Sequence, residues 1–495
     1  MRAIRLKTEF LKDPIGIDLQ NPLLLWNCEC GVKQTAYRIV ATCAGEVVWD
    51  SGKVSTDSMR ATYPQILSSR QRIEWSITLW DENDVEGESA YALFEMGLLK
   101  KSDWSAKWIS GNCGVNPLKR YPVDCFKKDF ETDNIKKARI YASACGVYEL
   151  KLNGARVGDF VLAPGHTDYR KRVQYQTYDV TELLKNGTNT ITAELADGWY
   201  RGSCGAWGLK NQYGTITKII IQLEIEKADG TRQTIATDGT WSWSNDGERC
   251  FADMQDGEIV DARLVPSYSK KARETRHNAS LTASNNVPVT EHETLKPAVI
   301  TTPSGKKVLD FGQNIAGYLK IAMNAKDGQN IKLRFGETFD SDGEFTQKNI
   351  QCATKKRQTP LQQVIYTAKD GFNEYKTKFA IFGFQYVLVE GDTEWKPEDF
   401  TAIAVYSDME ETLEFESSHD LINKFVENTR WSAKNNHADI PTDCPTRERH
   451  GWTGDAQIFC DTASYFFDYA AFARKYLNDM CDGQRRNGVF RQITP

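Results

Sequence analysis

Over most of the chain, apolar and polar positions alternate with a period of two. "AYRIVAT", "GEVVWDSG" and "RIEWSITLWDENDV" do so between Gly, Asn or Asp breaks, the pattern of half-buried strands. Residues 15–98 therefore predict a small antiparallel sandwich of fibronectin type, within a first domain at 1–105. "KKSDWSAKW" leads out of it. From 120 to about 290 the strands lengthen. "RIYASACGVYELKLNGARVGD" predicts two strands joined through Asn153-Gly154, because both central residues of that turn need positive φ. "YDVTELLKNGTNTITAEL" predicts one helical turn capped by Thr181 and ended at Asn186-Gly187, with a strand after it. Residues 106–296 read as a jelly roll of galactose-binding type, with the polar run at 262–296 as a surface connection. A third β unit at 297–410 carries "VLDFGQNIAGYLKI" and "FGFQYVLVEG".

At about residue 417 the period becomes helical. "SSHDLINKFVENTRWSAKNN" sets Leu421, Ile422, Phe425 and Val426 on one face. "DAQIFCDTASYFFDYAAFARKYLNDM" places Phe459, Ala463, Phe466, Phe467, Ala470, Ala473, Leu477 and Met480 along a single stripe. At ~1.5 Å per residue this predicts one helix about 40 Å long. The stripe reads first as core packing.

Composition narrows the class. With 495 residues, 40% hydrophobic and 26% charged, the chain reads as globular and multidomain. A net charge of −5 gives no footprint for nucleic acid or an anionic membrane. Without a run of 18 apolar residues or a secretory h-region at "MRAIRLKTEFLKDPIG", the expectation is a cytoplasmic protein. Twelve scattered cysteines, among them Cys352, form no spaced framework and predict free thiols; six separated histidines suggest no metal, and no cofactor is expected.

Between the two helical stretches lies "DCPTRERHGWTGD", residues 443–455. Loops held by rigid elements are a usual place for chemistry. This one gathers Asp443, Glu448 and Asp455 with Arg447, Arg449 and Trp452. Carboxyl groups donate protons or bind hydroxyls, a guanidinium forks onto oxygens, and an indole covers a sugar's apolar face. Asp443 and Glu448 can lie anywhere up to about 17 Å apart, so retaining and inverting spacings both fit. A neighbouring cation favours an ionised carboxylate, whereas a general acid must hold its proton. Glu448 as an acid therefore predicts that Arg449 points away and that Arg447 is held by another carboxylate or by substrate. A salt-bridged helix–loop–helix, with Asp455 as a helix N-terminal charge, is the structural alternative.

"DCPTRERHGWTGDAQ", after "KNNHADIPT" and before an aromatic helix, closely resembles bacterial α-L-rhamnosidases of glycoside hydrolase family 78. The order of fibronectin-like domain, jelly roll and β-sandwich is also that family's. The resemblance covers nearly the whole chain. It implies an inverting hydrolase that removes terminal α-L-rhamnose, with an (α/α)6 barrel beginning at about 411. It also implies Glu448 as general acid, with Asp443, Arg447, Trp452 and Asp455 around the sugar. Some members carry an Asp-Glu pair between the arginines; here Glu448 stands alone. Such a barrel needs roughly 200 residues, more than follow Ser417, and the family's catalytic base lies on a later part of it. The expectation is an N-terminal part of a longer enzyme, inactive alone, with the stripe at 459–467 left as an exposed patch. The expected partner is a rhamnose-containing glycoside, with neither nucleic acid nor membrane; a homo-oligomer is compatible. Two other readings stand beside it: a barrel glycosidase for another sugar, and a carbohydrate-binding protein that uses only its β domains.

Overall fold

The computed structural model describes residues 1–205, 208–351 and 361–495, so Cys352 lies outside the described residues. They form two compact units: Met1–Ser105 with the short segments Tyr175–Tyr178 and Leu281–Val287, and the rest of the chain.

In the first unit, alternation builds two sheets. One has three strands, Arg2–Thr8, Leu23–Glu29 and Arg60–Thr62; the other is centred on Arg72–Trp80, between Ala36–Cys43 and Ala90–Met96. Every second residue of Arg72–Trp80 (Ile73, Trp75, Ile77, Leu79) turns inward, onto Ile39, Tyr63 and Phe94.

The second unit starts with two antiparallel sheets. Ile135–Cys145 pairs with Lys218–Lys227, setting Ile140 opposite Leu223 and Ala142 opposite Ile221. Val147–Leu152 turns back on Ala155–Arg156 through Asn153 (φ 53°) and Gly154 (φ 86°), the turn that the Asn-Gly pair predicts. Thr181–Leu183 is a single 3-10 turn, as expected there, but Thr181 lies inside it, and Val180 holds the cap position without a side-chain bond. A ten-stranded sheet follows, running through Lys307–Ala325, Phe382–Gly391 and Phe400–Ser407. It also takes in Arg249–Asp253, Gly257–Asp261 and Val289–Leu295. The run at 262–296 is therefore more than a surface connection: Val289–Leu295 pairs with Phe400–Ser407, and Val289 is fully buried.

The helices are α1 (Gly198–Arg201), α2 (Asp420–Asn435), α3 (Thr453–Phe466) and α4 (Ala470–Gly483). The single long helix predicted over 455–480 is thus two. The N–H of Thr412 donates to Phe466 O, and that of Asp468 to Glu410 O, both at 2.8 Å. This strand-like pairing with 410–412 pulls Phe467 into an extended conformation and ends α3. The expected exposed patch at 459–467 is also corrected. Phe466 and Phe467 are buried, and Arg430 covers the Phe466 ring. Exposure falls elsewhere on α3, at Ile458 (77%) and Tyr465 (67%), and on the predicted apolar face of α2, where Leu421 is 75% and Phe425 69% exposed. Among the described residues no helix is long and apolar enough to cross a membrane.

Candidate active site

After α2 the chain makes a two-residue ladder, His437–Ala438 against Ile440–Pro441. Its tip, Asp439, takes positive φ (69°) and is held from three sides. Lys475 Nζ lies 2.8 Å from its carboxylate, the His166 N–H donates to that carboxylate at 2.6 Å, and its own N–H donates to Ser407 Oγ. Lys475 also contacts Asp479 at 2.9 Å, and Arg172 grips Asp479 and Asp482. These charges are nearly all buried. They are worth keeping only as a complete set, since a buried ion stripped of its partner is costly.

The motif loop follows. Asp443 closes it on itself: its N–H donates to His450 O at 3.3 Å, and its Oδ1 accepts the His450 N–H at 3.0 Å. Burial raises the Asp443 pKa, and the charge of Glu448 adds to the shift. Glu448 has its own frame. Trp452 Nε1 donates to Oε2 at 3.2 Å, Arg447 Nη2 donates to Oε1 at 3.1 Å, and the Glu448 N–H donates to Cys444 Sγ. The Cys444 thiol in turn bonds the Asp443 side chain, so one sulfur ties the Glu448 backbone to the Asp443 carboxyl group.

The two arginines part, as a proton-holding Glu448 requires of Arg449. Arg449, at φ 55°, turns into the β domain. There it donates to the carbonyls of Thr446, Met254 and Ile381 and to Gln362 Oε1. Burial among these neutral acceptors pulls the guanidinium down to about 10. Arg447 departs from expectation: among the described residues no other carboxylate holds it, and its described contact is with Glu448 itself. That contact is one hydrogen bond from an arginine side chain 44% exposed, not a two-pronged clamp, and an exposed pair of this kind is weak.

Asp455 stands exposed in the first turn of α3, where the helix dipole favours a negative charge. With Asp443 it lines a cavity of about 330 Å³ between α2 and α3, whose wall includes His437, Phe459 and Tyr469. The fold thus brings Asp443 and Asp455 to one cavity and Glu448, Arg447 and Trp452 to one contact chain, joined at Asp443.

The β domains form the seat of this loop. A side chain at Gly383 would collide with Pro445 and Thr446, and one at Gly205 (φ 75°) with the His450 ring. Glu337 accepts hydrogen bonds from Asn314 and from Thr446, and burial raises its pKa. Sequence reading did not single out Gly205, Glu337, Gly383, His437 or Tyr469. Gly205, Glu337 and Gly383 lie on distant segments, where "DGWYRGSCG" and "FGFQYVLVEG" carried a local sign of close approach in their glycines. His437 and Tyr469 flank the motif but read as ordinary residues, at the end of one helical stretch and within the next.

Four family descriptions match consecutive stretches. Residues 3–100 match a Rha78A-like N-terminal immunoglobulin domain, and 133–303 an alpha-L-rhamnosidase N-terminal domain. Residues 300–406 match the bacterial alpha-L-rhamnosidase concanavalin-like domain, and 410–495 its 6 hairpin glycosidase domain. An alpha-L-rhamnosidase of Formosa agariphila is 33% identical over 99% of this chain and 56% of its own length. The alpha-L-rhamnosidase structure from Dictyoglumus thermophilum superposes with a TM-score of 0.91 at 32% identity, over 100% of this chain and 59% of that one. The Streptomyces avermitilis alpha-L-rhamnosidase complexed with L-rhamnose gives 0.92 at 26%, over 100% and 66%. The chain spans about half the length of the curated relatives it matches.

Proposed function

The chain belongs to the bacterial α-L-rhamnosidase family, and from that premise we propose that the whole protein hydrolyses terminal α-L-rhamnosides with inversion. Residues 411–495 open its (α/α)6 barrel, and Glu448 is the general acid. In the reaction, Glu448 gives its proton to the glycosidic oxygen while a water attacks the anomeric carbon from the opposite face. The old C–O bond breaks, the new one forms with the water oxygen, and an alcohol leaves; a general base on a later part of the barrel takes the water's proton, and Glu448 is reprotonated from solvent. Asp443 and Asp455 receive hydroxyl hydrogens of the sugar, Arg447 adds a donor, and the Trp452 ring covers an apolar face.

The observation that carries this reading is the environment of Glu448. Its side chain is 20% exposed and its carboxyl is oriented by the Trp452 indole, while its backbone N–H is tied through Cys444 to a cavity-lining aspartate and Arg449 is committed elsewhere. A purely structural ion pair would show the reverse, with the buried arginine on the carboxylate.

Glu448→Gln in the whole protein tests the role. Hydrolysis of rhamnosides with poor leaving groups should fall ~10²-fold or more, and that of activated aryl rhamnosides much less, because a good leaving group needs no proton. Equal losses on both would make Glu448 a positioning residue. Full retention on both would remove it from the chemistry.

A further inference from the structure

His437 and Tyr469 wall the same cavity as Asp443 and Asp455. The His437 ring is buried and fixed by Tyr469 edge-on at 5.5 Å, with Phe472 and Phe459 packed beside it. Its Nδ1 lies 2.6 Å from Ala433 O, one turn back at the end of α2. A carbonyl only accepts, so Nδ1 carries the hydrogen. Burial keeps the ring neutral, with its pKa lowered to about 4. A neutral imidazole has one hydrogen, which leaves Nε2 as an acceptor. Tyr469 Oη lies 3.2 Å from Nε2 and is therefore the donor.

The Tyr469 hydrogen is thus spent, and what its oxygen has left is lone pairs. The carboxylate oxygens of Asp443 and Asp455 accept as well. The cavity wall accordingly offers acceptors, which suits a ligand bringing several O–H donors and disfavours one that presents an acceptor at that position. We propose that Tyr469 is a specificity-determining residue of this cavity, its oxygen accepting a hydrogen bond from one hydroxyl of the bound sugar because His437 holds its own hydrogen. This deepens the rhamnoside reading and rests on it.

The test is titration of the whole protein and its Tyr469→Phe variant with L-rhamnose and with the L-rhamnose analogues that each lack one hydroxyl. A single neutral hydrogen bond predicts about two- to tenfold weaker L-rhamnose binding in the variant. For the analogue missing the partner hydroxyl, wild type and variant should bind alike. Where Tyr469→Phe does not fold, His437→Asn carries the test. It frees the hydroxyl to donate, so the preference for L-rhamnose over that analogue should narrow. Unchanged affinities in Tyr469→Phe, or an unchanged preference in His437→Asn, would overturn the proposal and leave the rhamnoside reading standing. A wild type that binds no L-rhamnose would overturn that reading and the proposal with it.

Discussion

Arg449 shows how much one residue of the motif loop does without touching the chemistry. It adopts a left-handed backbone conformation, uncommon for a residue with a side chain, and spends its donors on three carbonyls and an amide. Arg449→Met would leave several enclosed acceptors without a partner, each worth about 1–3 kcal/mol. We expect a lower unfolding midpoint in denaturant, with a loss on the order of 4 kcal/mol or more. Activity on good and poor leaving groups should fall by the same factor, unlike the split expected for Glu448→Gln. Stability and the loss ratio at wild-type values would show that the loop does not depend on this anchor. The divergence of Arg449 followed from setting an acid role for Glu448 beside it. The lodging of Arg447 on Glu448 was not legible in the sequence, because adjacent side chains can face any partner the fold brings near.

At the scale of elements, the junction between α2 and the motif loop depends on a neutral ring. His437 is 2% exposed, with its pKa depressed to about 4 by burial. In the unfolded chain it would take a proton near pH 6.5. Between those values the unfolded state binds the extra proton, so stability falls as pH drops from about 6.5 to about 4. The whole interval is worth on the order of 3 kcal/mol. Unfolding followed from pH 7 to pH 4.5 should show this decline, and His437→Gln should flatten it. An equal slope in the variant would mean that other groups, such as the buried His166, account for it. The helices themselves were only partly readable. Their period was clear, but the break at 467–469 comes from hydrogen bonds to 410–412. No local signal announced that tertiary pairing.

Across the whole molecule, strands were more legible than their partnerships. Alternation and the Asn153-Gly154 turn predicted individual strands of both units, because the pleat and the turn are local physics. Which sheet a strand joins is settled by long-range burial. Gly257–Asp261 pairs with Gln363–Thr367 a hundred residues on, and nothing in "GEIVD" says so. The site has the same character. Its acids sit within thirteen residues, while its seat comes from Gly205, Glu337 and Gly383 on three separate β segments. The central claim concerns the whole protein: a water displaces the aglycone from the face opposite Glu448. Proton NMR of the first-formed sugar, taken during hydrolysis of an α-L-rhamnoside before mutarotation, reads that event directly. The account predicts β-L-rhamnose first, relaxing later to the mixture. α-L-rhamnose as the first product would contradict it.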